Sequence, residues 1–132
     1  MKITNHLSER NFLFLAILWT VVITVLSLVS LNSVPKVDVP GKDKLVHFLF
    51  YLVFVIFWSF AKVKSYFNLK YDFIIVLFAI VYGIIIEVLQ SVLTQTREAD
   101  IYDVFANSLG AITGFIGFYC VKNKIFNKFV LK

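Results

Sequence analysis

Cysteine and proline are nearly missing from this 132-residue chain, and charge is sparse. The one cysteine, Cys120, sits in an apolar stretch. It permits no intramolecular disulfide and says nothing of the redox compartment. The two prolines, Pro35 and Pro40, both fall in one joint together with Gly41, so they mark a turning loop. Charged residues make up 16% of the chain, against roughly a quarter in an average soluble domain. A Gly-rich phosphate loop, a nucleophile elbow and a Cys-x-x-Cys pair are all missing, which removes the motif support for nucleotide, serine-hydrolase and thiol-redox chemistry. No repeat, low-complexity tract or composition break divides the chain, so residues 1–132 form one expected domain.

What fills the space is apolar. Hydrophobic residues are 60% of the chain and the mean hydropathy is +0.86. Fifteen Phe and six Tyr exceed what one small core can bury. Lipid as the solvent removes that contradiction. Four apolar runs, at about 12–31, 45–61, 73–93 and 103–121, each approach the ~20 residues that a helix needs to cross ~30 Å of hydrocarbon. Strands would leave edges unpaired in lipid, so the β-branched content does not argue for a sheet. The expected fold class is an all-α membrane protein, a four-helix transmembrane bundle. The first run is too long for a signal peptide and no Ala-x-Ala site follows it, so it is expected to be retained.

Lysine and arginine placement predicts orientation. Lys2, Arg10, Lys62, Lys64, Lys70, Lys122, Lys124, Lys128 and Lys132 would share one side, while Lys36, Lys42, Lys44 and Arg97 would share the other. Nine against four predicts a multi-pass protein of the cell membrane with both termini in the cytoplasm. The net charge of +5 then serves topology and anionic lipid, and no nucleic-acid partner is expected. Oligomeric state is left open.

On that topology the polar groups gather at the outer face. Lys44, His47 and Tyr51 share one side of the second helix, with Asp43 beside them. Glu87, Gln90 and Ser91 form a stripe on the third, with Glu87 six residues before Leu93 and so about 9 Å inside the helix end. Asp100, Asp103 and Asn107 carry the pattern into the fourth helix, and Gly110, Gly114 and Gly117 extend it inward. Plainer readings stand beside this one. Asp43 and Asp103 also suit helix caps or first-turn acids, His47 suits an interface, and the glycines suit helix packing better than ligand contact. Glu87 is hardest to read plainly, because a carboxyl at that depth is costly unless paired or protonated.

These residues resemble the VanZ-like family of small bacterial membrane proteins. Its first motif stands here as Asp43-Lys44-Leu-Val-His47-Phe-Leu-Phe-Tyr51. Its second stands as Glu87-Val-Leu-Gln90, followed by Arg97, Asp100, Asp103, Asn107 and Gly110. The resemblance covers most of the chain from 43 to 117. It departs from the family pattern in having neither Phe nor Pro between Gln90 and Arg97. What it implies is an association, in the founding members, with tolerance of teicoplanin-type glycopeptide antibiotics.

Three functions are open at this point. The polar end can bind an anionic lipid headgroup or a lipid-linked envelope precursor, with Lys44 and Arg97 on phosphate, Gln90 and Asn107 on hydroxyl or amide groups, and Glu87 orienting His47 or Arg97. It can be an intramembrane enzyme with His47 as acid or base, steered by Glu87 or Asp103. It can be a structural or partner-binding protein in which polar groups only stitch helices. No cofactor is expected. No metal is expected either, because one His among carboxylates shows no ligand spacing along the sequence.

Overall fold

The computed structural model describes the backbone of residues 2–29, 40–61, 69–94 and 98–130, and the side chains of 10–29, 40–61, 69–94 and 98–122. Arg97, Pro35 and most of the first two connectors lie outside the described residues. The described residues form four helices: α1 (Lys2–Leu28), α2 (Lys42–Ala61), α3 (Leu69–Leu93) and α4 (Ile101–Val130). All four are long and apolar enough to cross a membrane, and no strand occurs among the described residues.

The helix ends differ from the apolar runs by several residues. α1 runs from Lys2 to Leu28 rather than 12–31, α2 begins at Lys42 rather than 45, α3 at Leu69 rather than 73, and α4 runs from Ile101 to Val130 rather than 103–121. Hydropathy marks the stretch that lipid accepts, whereas caps decide where the backbone turns. At α2 the cap is Gly41, whose carbonyl accepts the Leu45 amide at 3.1 Å and whose φ of +78° favours glycine. Asp43 is therefore a first-turn acid and not the cap. At α4 the cap is Asp100, whose Oδ1 accepts the Tyr102 amide at 2.8 Å, leaving Asp103 in the first turn.

Burial runs opposite to that of a water-soluble bundle. Large apolar side chains such as Phe14, Phe73, Val92 and Ile101 point outward, while His47, Ser59, Asp72, Glu87, Gln90 and Asn107 are buried. Lipid accepts the first set without cost, and the second must find partners inside. The core itself is built on Ile23, Tyr51, Phe54, Val55, Ile75, Val76, Ala79 and Ala111.

α2 has its most extensive packing with α4, and the backbones of α1 and α4 do not approach closely among the described residues. The α2–α4 pair is parallel, since Lys44 meets Asp103, His47 meets Asn107, and Phe48 and Leu52 meet Gly110 and Gly114 in ascending order. A Cβ on Gly110 would overlap the Phe48 carbonyl, and one on Gly114 would lie 2.6 Å from the Leu52 carbonyl oxygen. Glycine at these two positions is what lets the backbones meet. A methyl added at Gly117 would have nothing within 4 Å, so the packing face stops one turn earlier than the sequence spacing implied.

Hydrogen bonds tie α1 to its neighbours. The Trp19 indole donates to the Phe50 carbonyl at 3.0 Å, Trp58 to the Thr20 hydroxyl at 3.2 Å, and Tyr82 to the Thr20 carbonyl at 3.1 Å. At the end of the bundle where α3 begins, Lys122 lies 3.6 Å from Asp72. The opposite end, where α2 and α4 begin and α3 finishes, holds the larger polar cluster.

Candidate functional site

Three helices meet at that end because α2 and α4 run parallel in direct contact and α3, antiparallel to both, brings its last turns beside them. His47 sits one turn into α2, Glu87 two turns from the end of α3, and Asp103 and Asn107 on successive turns of α4. His47 Nδ1 is 3.1 Å from Asn107 Oδ1 and 3.5 Å from Glu87 Oε1. Its other nitrogen, Nε2, is 3.7 Å from Asp103 Oδ2. The imidazole is thus flanked by a carboxylate on each side, and the Asn107 contact alone is within hydrogen-bond length.

Glu87 is 2% exposed, and neither of its carboxylate oxygens has a hydrogen-bond partner among the described residues. Asn107 Nδ2 and the Tyr51 hydroxyl are buried in the same condition. Gly83, one turn before Glu87, makes the room: a Cβ there would lie 3.1 Å from Asn107 Nδ2 and 3.3 Å from the Tyr51 ring. The i, i+4 relation between Gly83 and Glu87 was the available sequence signal for that role.

Above the histidine lies a pocket of about 220 Å³ lined by Asp43, His47, Gln90, Glu98, Asp100 and Asp103. Every lining residue is polar. Lys44 closes one edge by donating to Asp100 Oδ2 at 2.8 Å and Asp103 Oδ1 at 3.2 Å, with the Tyr102 ring 5.8 Å away. The Lys44 ammonium, and then the Tyr102 amide, hold the Asp100 carboxyl below the usual carboxylate range. The side chains of Asp43 and Glu98, both exposed, have no hydrogen bond or ion pair among the described residues.

Most of the residues expected from the sequence do meet here. Asp43, His47, Gln90, Asp100 and Asp103 line the pocket, and Lys44, Glu87 and Asn107 touch them. Tyr51 lies a turn deeper, against Phe54 and Tyr82, and does not line it. Gln90 turns its amide away to donate to the Ser27 carbonyl of α1 at 2.8 Å, so half of its capacity holds helices together. Arg97 is outside the described residues. Glu98 was not among the expected site residues; its signal was its place two residues from Asp100 in an acidic loop.

Four helices long and apolar enough to cross a membrane, with a polar pocket at one end of the bundle, define a small multi-pass membrane protein. Residues 12–123 match the VanZ/LLP1 family model, and the chain belongs to the VanZ/LLP1 family. No curated protein and no solved structure matches it.

Proposed function

We propose that this protein binds, at the outer face of the cell membrane, the anionic headgroup of a lipid or of a lipid-linked envelope precursor. The observation that carries the reading is the pocket of about 220 Å³ whose whole described lining is polar at the end of four lipid-facing helices. A stitched bundle end would have its polar groups turned onto one another. Here the exposed Asp43 and Glu98 line the pocket, and their side chains have no hydrogen bond or ion pair among the described residues. Effects on glycopeptide tolerance would follow from holding or masking an envelope precursor.

The sign of the lining adds a condition. Lys44 is already engaged by Asp100 and Asp103, so a phosphate group needs Arg97 or an accompanying cation to enter an acidic pocket. A second reading rests on the histidine flanked by carboxylates at 3.5 and 3.7 Å, an arrangement that can orient an imidazole as acid or base. Lipid analysis of protein extracted with its native membrane annulus tests both. Binding gives one phosphate-bearing species enriched over the bulk membrane. Catalysis gives turnover of that species. A retained lipid profile identical to the bulk contradicts both readings.

A further inference from the structure

We propose that His47, Glu87 and Asp103 form a divalent-cation site at the floor of the pocket, for a first-row transition ion of the zinc or manganese type. The inference deepens the headgroup reading and rests on the pocket being a binding site. Sequence spacing could not show it, because α2, α3 and α4 each contribute one residue. One ligand atom from each residue can be chosen so that all lie within 4.8 Å of one another.

The distances favour a shared ion over direct pairing. The histidine nitrogens stand 3.5 Å from Glu87 and 3.7 Å from Asp103, both longer than a charge-assisted hydrogen bond of roughly 2.7–2.9 Å. Two ligands held at about 2.0–2.2 Å by one tetrahedral ion stand about 3.3 Å apart. The two separations run to different ring nitrogens, so one carboxylate must swing toward the nitrogen that takes the ion, starting from ligand atoms within 4.8 Å of one another. Only one ring nitrogen can take the ion. If Nε2 takes it together with Asp103, Nδ1–H is left to donate to Asn107 Oδ1, the kind of outer contact that orients metal-bound histidines.

The second and independent observation is Glu87 itself. Only 2% of the residue is exposed, and neither carboxylate oxygen accepts a hydrogen bond among the described residues. A buried carboxylate in that state calls for a cation or a proton. The surroundings favour a cation of charge two: Asp43, Glu87, Glu98, Asp100 and Asp103 are five of the eight acidic residues in the chain, and Lys44, paired with Asp100 and Asp103, offsets only part of that charge. Imidazole directs the choice toward zinc, and carboxylate oxygens keep manganese within range. An ion there would also supply the positive charge on which a headgroup phosphate could sit.

The test uses the full chain in detergent, with any affinity tag removed and bound ions stripped by chelator. Zinc and manganese chlorides are titrated calorimetrically, with magnesium and calcium chlorides as comparison. The expected result is one zinc per chain, a melting temperature raised by zinc, and affinity reduced at least tenfold in both His47→Ala and Asp103→Asn. Zinc X-ray absorption on the unaltered protein covers the case in which a variant fails to fold, and should show one imidazole among oxygen ligands. Binding below one ion per chain, equal binding by folded variants, or a spectrum without imidazole overturns the proposal. A headgroup retained by chelator-treated protein that binds no zinc overturns the ion and leaves the headgroup reading standing. Zinc bound at full stoichiometry with no lipid retained at any zinc level supports the ion and defeats the headgroup reading.

Discussion

Lys44 holds two carboxylates of unlike exposure, and the difference makes them separable by pH. Asp100 is half-exposed and its folded carboxyl titrates below the ordinary value near 3.8. A depressed folded pKa means that its contribution to stability is fully present above that ordinary value. The contribution disappears as pH falls through the lower, folded value. The melting temperature of the native protein should thus exceed that of Asp100→Asn at pH 6, and the gap should narrow as pH drops below about 4. A gap that stays constant down to pH 3 would remove the Lys44 pairing as its cause. At this scale the sequence was informative for residues with an unusual address. Glu87 stood out because an acid in a 25-residue apolar helix has no plain reason to be there. Gln90 shows the limit: its type suited a ligand contact, yet its amide is committed to Ser27, and no sequence pattern marks which carbonyl an amide will choose.

The packing of α2 on α4 depends on two glycines one turn apart. Gly110→Ala would drive a methyl into the Phe48 carbonyl, which belongs to backbone and cannot rotate away. Forced overpacking of this kind costs about 1–3 kcal/mol. Gly117→Ala should be neutral by comparison, since nothing lies within 4 Å of the new methyl. Thermal or denaturant unfolding in the same detergent compares the two. Equal effects would mean that the close approach is not what stabilises the pair. Element identity was legible because an apolar run of about 20 residues admits one solution in lipid. The helix ends were less legible, since Gly41 and Asp100 set them through backbone geometry rather than through hydropathy. The pairing of helices was legible only in part: parallel α2 and α4 follow from membrane crossing order and the glycines marked a packing face, but that α4 packs closely on α2 and not on α1 is a matter of three-dimensional fit.

For the whole molecule, nine lysines and arginines on one side against four on the other predict that the pocket opens outward. Reporter fusions at the C-terminus and after Lys70 should register as cytoplasmic, and fusions near Pro40 and Thr96 as external. An external C-terminus would move the pocket to the cytoplasmic face and end the envelope-precursor reading. The pocket itself draws on all the scales below it: crossing order brings the starts of α2 and α4 to the same face, the glycines bring those helices together, and Gly83 leaves space for Asn107 and Tyr51 beneath the histidine.

Whether that end of the bundle is a working site or only internal scaffolding is decided most directly with Asp103→Asn. The substituted amide would keep an oxygen to accept the Lys44 hydrogen bond but lose the charge beside His47 Nε2. A site that waits for a ligand loses binding more readily than it loses stability. Headgroup retention and melting temperature should therefore be measured on the same preparation of this variant. The expected result is loss of the retained headgroup with a melting temperature within a few degrees of the native protein. An unchanged headgroup complement at an unchanged melting temperature would contradict a binding role for the pocket.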